Sequence, residues 1–529
     1  MPGQSPGPAQ PPPVVPRTAS RTAPPGSPPE PRAMPKVLGV RDGVVLSLSN
    51  ISPTFSIGIG LGVIGAAVGV GIPAAFLVAL LPILGIALAY ARLNRREPNC
   101  GTAYVWVGRA VGPLPGCLIG WGAVVTQVLF LSYAVPLAGQ YTLLSLDSLG
   151  VHRLAGLNPG DPPVAATLAV GLLVLAGLTA MAIVGVEVAA RFQLILLVAE
   201  FAVLLAVCGW AVVAGDAAAF DPDWFSPAVF SSPSVMATGV LLAVFMYWGW
   251  EAAFSVTEEN TDARTSARAG LWSLAAVAAL FLFASTAFQR ALTPEELAAN
   301  GERGLPYLGE LAAGGFGRGV TTVVLLCSIV ACVQSVLIGT ARQTLAMSRD
   351  GVLGPGWAAL HPRRRTPHLS TLRIAACAAV LAVLSAGLGS LQDIVVGAVT
   401  SVGILISQYY AFAALACALT FAPEARDSVR ALLVTVVGPL LSGLALLGLG
   451  CYMVYTLWTS TDEFAFAADN GRFLTLVPLV ILATGVPAAY WAKYRRRAAY
   501  FVRDRPAPHT LSTAGPRPPA APTSGGSTP

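Results

Sequence analysis

Long apolar runs recur along this chain, and each is about as long as a helix must be to cross the hydrocarbon core of a bilayer. Only 11% of the 529 residues are charged, against about 25% in an ordinary soluble domain. A soluble fold could not bury so much apolar surface, whereas lipid solvates it directly. We therefore predict an all-α integral membrane protein with about twelve transmembrane helices. The predicted spans are residues 44–69, 72–92, 114–140, 163–184, 191–213, 234–257, 268–289, 319–347, 371–389, 392–420, 431–457 and 472–492.

The two ends of the chain differ from this apolar middle. Residues 1–35 and 505–529 are rich in Pro, Ser and Gly and lack apolar runs, so we expect both to be disordered arms. The membrane domain is predicted to cover residues 36–500.

Basic residues predict the orientation, because cytoplasmic loops of membrane proteins are enriched in Lys and Arg. With an even number of spans, both termini lie on the same side of the membrane. Placing both in the cytoplasm leaves only five of the 32 basic residues outside: Arg153, Arg290, Arg303, Arg318 and Arg472. We therefore predict a multi-pass protein of the plasma membrane with both termini cytoplasmic.

The cysteines and histidines give no sign of a metal site or a cofactor. Most of the eight cysteines fall inside apolar runs, where the thiol acts as a small hydrophobic group. All four histidines lie outside the runs. The net charge of +6 is not concentrated on one domain, so nucleic acid is not an expected partner. The oligomeric state is left open.

Small polar residues surround a proline within the first predicted span, at Ser52, Pro53, Thr54, Phe55 and Ser56. Proline removes one helical hydrogen bond and clashes with the preceding turn. One interpretation is a kinked helix that packs through its small residues. The other is an unwound segment whose free N–H groups bind an anionic group of a substrate.

The sixth span contains the sequence Tyr247, Trp248, Gly249, Trp250 and Glu251, at least two turns inside its expected ends. An ionisable residue within the membrane is costly and is a functional-site hypothesis by default. The alternative is that the Glu251 carboxyl group only holds a broken helix to a neighbour by hydrogen bonds.

Glu200 is the third polar feature, about 13–14 Å from the inner end of the fifth span at 1.5 Å per residue. It is a candidate proton carrier, with a helix-packing role as the alternative. The first and sixth spans, both interrupted, begin two sets of five. Interrupted helices at corresponding positions of two halves are typical of a transporter site between inverted repeats.

Four segments together resemble the amino acid–polyamine–organocation permeases, and the resemblance covers about residues 36–500. The first is the interrupted first helix. The second contains Tyr90, Arg92, Pro98, Gly101, Tyr104, Trp106, Gly112, Gly116, Gly120 and Trp121. The third is Gly249-Trp250-Glu251 followed by Glu258-Glu259-Asn260, and the fourth is the stretch from Arg342 to Gly351.

This resemblance implies a LeuT-like fold, with a five-plus-five inverted repeat (about 44–213 and 234–420) and two extra C-terminal helices (about 431–492). It implies a substrate between the first and sixth helices, with its carboxylate at the first break and its amine at carbonyls of the second. Trp248 and Trp250 would then close over the substrate or stack on its cation.

The chain departs from the family pattern at two positions. Many members have Gly-Ser-Gly in the first break, where this chain has Pro53, Thr54 and Phe55, and Phe55 is expected to narrow the cavity or change which end of the substrate is held. Some members carry a lysine in place of a sodium ion in the fifth helix, where this chain has Glu200. A carboxylate cannot replace a cation, so we favour H⁺ over Na⁺ as the coupling ion.

We predict a secondary active transporter for an amino acid or a related amine, coupled to protons, and not an enzyme. The alternative within transport is an exchanger of amines or polyamines. A channel would more often show a filter motif, and a membrane-embedded enzyme would need a nucleophile with its base or a set of metal ligands.

Overall fold

The computed structural model describes residues 34–154, 156–262, 264–300, 303–385, 391–426, 428–459 and 471–502, and these form helices joined by loops. Within these ranges, ten helical stretches are long and apolar enough to cross a membrane. One of the ten, Gly60–Arg96, contains two helices that meet at a 3-10 turn over Gly69–Gly71. The all-helical class is therefore confirmed, while the count of twelve spans and the inverted repeat stay predictions.

Two groups of helices follow one another along the chain. In the first half they are α1 (Val40–Ile51), α2 (Pro53–Val68), α3 (Ile72–Arg96), α4 (Ala103–Ala110), α5 (Pro113–Ser148), α6 (Val164–Val184) and α7 (Val186–Ala214). In the second half they are α8 (Pro233–Tyr247), α9 (Ala252–Ser255), α10 (Thr265–Ala291), α11 (Pro294–Ala299), α12 (Gly304–Arg349), α13 (His368–Ser385), α14 (Leu391–Phe421), α15 (Val429–Leu432), α16 (Gly438–Thr459), α17 (Gly471–Tyr490) and α18 (Ala499–Val502).

Small residues let neighbouring helices approach closely, as expected where lipid removes the hydrophobic drive between helices. A Cβ atom on Gly139 of α5 would stand 1.9 Å from the carbonyl oxygen of Thr167 in α6. A Cβ atom on Gly171 would stand 2.2 Å from the carbonyl oxygen of Val135. The α5–α6 contact therefore depends on glycine at both positions.

Charged residues tie the segment after α9 to the end of α12. Arg342 of α12 and Glu259 form an ion pair in which both side chains are buried. Arg349 lies 2.6 Å from Glu258. Burial alone would raise the pKa of Glu258, but the attraction of Arg349 together with hydrogen bonds from Cys100 and Arg349 outweighs burial and holds this pKa below its usual range. The two pairs hold α9 in place relative to α12.

The N-terminal residues of the described chain pack against the rest of the fold. Met34 and Leu38 are buried, and the N–H groups of Val37 and Leu38 donate to the carbonyl of Glu259 at 2.9 and 3.0 Å. The predicted N-terminal arm ends at residue 35, but Met34 is already packed against the fold. Residues 1–33 and the predicted C-terminal tail, 505–529, lie outside the described residues.

Candidate functional site

The first helix is interrupted at Ser52, whose backbone is left-handed (φ 54°, ψ 64°) and separates α1 from α2. Pro53 is the first residue of α2, a position that favours proline because its missing N–H is not needed there. We expected Pro53, Thr54 and Phe55 to occupy the break, but the structure corrects this and places them in the first turn of α2. Ser56 follows in that helix, and its hydroxyl donates to the carbonyl of Ile51 at 2.9 Å.

The N-terminus of α2 is capped from a distant helix. The Ser328 hydroxyl of α12 lies 2.9 Å from the Ser52 hydroxyl and accepts a hydrogen bond from the Phe55 N–H at 3.3 Å. The Ser56 N–H donates to the Ser52 carbonyl at 2.8 Å. Phe55 itself is half-buried and packs on the hydrophobic core. The Ser328 contact thus satisfies the Phe55 N–H, one of the groups that a helix N-terminus leaves free.

Glu200 of α7 lies against this same helix start. Its side chain is fully buried and its carboxyl group faces Ser328, the hydroxyl of Thr54 and the Thr54 backbone. Neither carboxyl oxygen has regular hydrogen-bond geometry with a described group, and the Thr54 hydroxyl is also unpaired. A buried carboxyl group in that condition is costly when ionised. Glu200 can therefore hold a proton or face a cation at the α1–α2 break.

The second interruption lies between α8 and α9, at Trp248, Gly249, Trp250 and Glu251. Gly249 has φ +121°, a conformation that side-chain-bearing residues rarely adopt. Its carbonyl accepts a hydrogen bond from the side-chain amide of Asn50, which belongs to α1, at 3.3 Å. The tertiary fold therefore brings the two interruptions into direct contact.

Glu251 is held by three donors. Its Oε1 accepts from the Tyr409 hydroxyl at 3.0 Å, and its Oε2 accepts from the Tyr410 hydroxyl at 2.8 Å and the Gly249 N–H at 3.1 Å. The Tyr409 hydroxyl in turn accepts from the Trp248 indole N–H at 2.5 Å. The carboxyl group thus joins the break to α14, as the hydrogen-bonding alternative predicts.

The two tryptophans have different neighbours. Trp250 is fully buried, and its ring packs within about 6 Å of Tyr90, Phe254 and Tyr410. Trp248 packs edge-on against the ring of Phe130, with ring centroids 5.6 Å apart.

Tyr247 ends α8, and its hydroxyl donates to the Phe76 carbonyl at 3.4 Å. Its ring packs against Phe76 and Phe281, with centroids 5.8 and 5.4 Å away.

A cavity with both polar and apolar lining residues lies beside Glu251 and continues towards the α3–α4 loop. It is lined by Asn50, Tyr90, Cys100, Thr102, Ala103, Ala123, Gln127, Glu251, Ala252, Ser255, Ser335, Val336, Gly339, Gln343 and Tyr409. Of the predicted site residues, Glu251 lines this cavity, whereas the residues from Ser52 to Ser56, the two tryptophans and Glu200 stand outside its lining. Within the described parts of the chain, no group of three or more His, Cys, Asp or Glu side chains could hold a metal ion.

Several residues of this site were not singled out from the sequence. Ser328, Tyr409 and Tyr410 contact the two breaks from α12 and α14. Adjacent tyrosines inside the apolar run 392–420 were a usable signal, because buried phenol groups need hydrogen-bond partners. A single serine in a membrane helix carries no such signal.

Comparison with known proteins shows the family of this chain. Residues 43–484 match the family model described as amino acid permease. The branched-chain amino acid permease BcaP of Bacillus subtilis is 23% identical over 358 residues, which are 67% of this chain and 76% of that protein.

The low-affinity putrescine importer PlaP of Escherichia coli is 23% identical over 316 residues (58% of this chain, 66% of that protein). The methylthioribose transporter of Bacillus subtilis is 26% identical over 314 residues (58% of this chain, 66% of that protein). Because the family match covers most of the chain, this protein belongs to the amino acid permease family and is a multi-pass membrane transporter, not an enzyme.

Proposed function

We propose that this protein is a secondary active transporter that moves an amino acid or a related amine across the plasma membrane, driven by protons. Its substrate binds at the two helix interruptions, which close alternately towards the two sides of the membrane. Both termini lie in the cytoplasm, and the helices form two inverted sets of five with two further C-terminal helices.

The contact between the two interruptions is the observation that carries this proposal. Asn50 precedes the first break, and its amide binds the carbonyl of Gly249 in the second. Backbone groups freed by a helix break are the usual ligands of a transporter substrate. The adjoining cavity is lined mainly by polar side chains and includes the Glu251 carboxyl group. The relatives named for a branched-chain amino acid and for putrescine support a small nitrogen-containing substrate.

Glu200 is the proposed proton carrier. Its carboxyl group faces the start of α2 and Ser328, so gain or loss of a proton changes the charge at the break. A helix N-terminus attracts negative charge, so ionised Glu200 holds α2 in place and neutral Glu200 releases it. Sodium is the weaker candidate, because protonation already neutralises this carboxylate without a further ion.

The proposal is tested by uptake of amino acids and amines into proteoliposomes with and without an inward proton gradient. Wild-type uptake is expected to rise with the gradient. In Glu200→Gln the gradient is expected to lose its effect, because the amide cannot carry a proton. Glu187→Gln is the matched control, since Glu187 lies in the same helix but is exposed and paired with Arg191.

Unchanged proton dependence in Glu200→Gln would reject Glu200 as the carrier. An exchanger of amines or polyamines is the second candidate, favoured by the carboxylate in the cavity. An exchanger would take up labelled amine only into vesicles that already contain substrate.

A further inference from the structure

We infer that this site selects a substrate that carries a positive charge and no carboxylate group. The inference rests on the proposed transport function and names the substrate class within it. Two independent features support it: the occupied N-terminus of α2, and the charges around the cavity.

The first feature is that protein groups already occupy the place where a substrate carboxylate would bind. A helix N-terminus binds anions through its free N–H groups. Pro53 has no N–H, and the Phe55 and Ser56 N–H groups donate to Ser328 and Ser52.

The remaining position in this turn is Thr54, whose backbone faces the fully buried Glu200 carboxyl group. The Glu200 side chain occupies this position whether or not it carries a proton. When ionised it would also repel a second carboxylate strongly, because the interior has a low dielectric constant. The chain therefore places its own carboxyl group where the resemblance implies that the carboxylate of a substrate binds.

The second feature is the charge of the cavity lining. Among the residues that line it, all within the described ranges, Glu251 is the sole Asp or Glu, and Lys, Arg and His do not occur. The other titratable lining groups are the hydroxyls of Tyr90 and Tyr409 and the thiol of Cys100, which are neutral near pH 7. A carboxylate entering the cavity would find no cationic side chain, whereas an ammonium group would find Glu251.

Hydrogen-bond donors reach both carboxyl oxygens of Glu251. The Tyr409 oxygen accepts the Trp248 N–H, so its own proton points to Glu251 Oε1. The other oxygen accepts from Tyr410 and the Gly249 N–H. These three donors fix the orientation of the carboxyl group beside the cavity. The buried Oε1 of Gln127, another lining residue, has no partner and offers a further acceptor for an ammonium group.

The experiment compares molecules that differ only in the α-carboxylate. Purified protein in proteoliposomes is tested with lysine against cadaverine, arginine against agmatine, and leucine against 3-methylbutylamine, both as competitors and as labelled substrates. We expect at least one amine to bind about tenfold more tightly than its parent amino acid, since unpaired charge in a buried site is strongly disfavoured. The methyl ester of that amino acid removes the negative charge but keeps the bulk, so it should bind more tightly than the amino acid and more weakly than the amine.

Two substitutions of Glu200 distinguish the effect of its bulk beside Thr54 from the effect of its charge. Glu200→Ala empties the position beside Thr54. Amino acids should then bind more tightly, and the ratio of amine affinity to amino acid affinity should fall. Glu200→Gln keeps the position filled but removes the charge, so it should keep a preference for amines, weakened only by the part that charge repulsion contributes. Gln193→Leu is the control, because Gln193 lies in the same helix and its amide donates to Ala331 instead.

The possible results are distinct. Equal or tighter binding of the amino acids in wild type, with uptake of at least one compound, would overturn this inference and leave the transport function standing. Uptake of none of the six compounds, by protein that is monodisperse and folded, would overturn both.

Discussion

The backbone of Gly249 lies so close to the backbone of Ile51 that a Cβ atom on residue 249 would stand 2.7 Å from the Ile51 nitrogen. The last turn of α1 and the α8–α9 interruption therefore touch through backbone atoms. Such an approach is open only to glycine, and the φ of +121° at Gly249 has the same requirement.

Gly249→Ala is expected to abolish uptake, because both the contact and the conformation exclude a methyl group. Backbone strain of this kind costs on the order of 1–3 kcal/mol, so the thermal midpoint in detergent should also fall. Gly177→Ala in α6 is the control, since a Cβ atom there would have no neighbour within 4 Å. Wild-type uptake by Gly249→Ala would show that the two breaks do not need this contact.

Trp250→Ala is expected to act through stability, because Trp250 is fully buried in an aromatic cluster and stands outside the cavity lining. Truncation of a buried Trp costs roughly 3–5 kcal/mol. Trp250→Phe should keep most of the packing and retain uptake. Thermal unfolding monitored by size-exclusion chromatography measures both variants. A Trp250→Ala protein with wild-type stability and no substrate binding would assign Trp250 to recognition instead.

The Tyr500 side chain packs against Gly108 of α4 and Gly116 of α5, which we call the Tyr500 socket. Its ring stacks on Tyr104 at 4.5 Å, and a Cβ atom on Gly108 would stand 2.0 Å from the Tyr500 hydroxyl. Gly108→Ala should therefore destabilise the protein by about 1–3 kcal/mol through overpacking. The same substitution in a Tyr500→Ala background should cost much less, and a double-mutant cycle on thermal midpoints measures the difference.

Gly209→Ala serves as the control in both backgrounds, because a Cβ atom at this helical position would meet nothing within 4 Å. An equal cost of Gly108→Ala with and without the Tyr500 side chain would contradict the Tyr500 socket.

The Glu258–Arg349 pair predicts a pH dependence of stability. The pKa of Glu258 is lower in the folded protein than in the unfolded chain, where it is about 4.3. Such a carboxyl group stabilises the fold above the unfolded pKa, and this contribution disappears as the pH falls through the lowered folded pKa. Arg349→Gln should therefore lower the thermal midpoint at pH 7 and approach wild type below about pH 4.

Arg191→Gln is the matched control, because Arg191 is largely exposed and pairs with an exposed glutamate. It should change the midpoint little at any pH. A constant difference between wild type and Arg349→Gln from pH 7 to pH 3 would mean that the ion pair does not account for the stabilisation.

Local features of the sequence predicted much of the scaffold. Helices form over most of each predicted apolar run in the described ranges, because burial in lipid requires every backbone group to bond within its own segment. The first interruption was expected at Pro53 and lies one residue earlier, at Ser52, since proline is better accommodated as the first residue of α2.

The partners at the site could not be predicted in this way. Ser328 bonds to Ser52 across 276 residues of chain, and Tyr410 bonds to Glu251 across 159. Such pairs depend on how helices pack and rotate, which apolar periodicity leaves undetermined when a helix is apolar on every side.

By itself, the sequence determined that this protein lies in the membrane, and it predicted interruptions in the first and sixth spans. Both follow from local physics: the length of apolar runs, and the cost of proline and polar groups inside them. Only the tertiary structure decided that the two interruptions touch at Gly249, that Glu200 faces the start of α2, and that Glu251 lies between two tyrosines. Those contacts arise from helix packing, which brings together residues far apart in the chain.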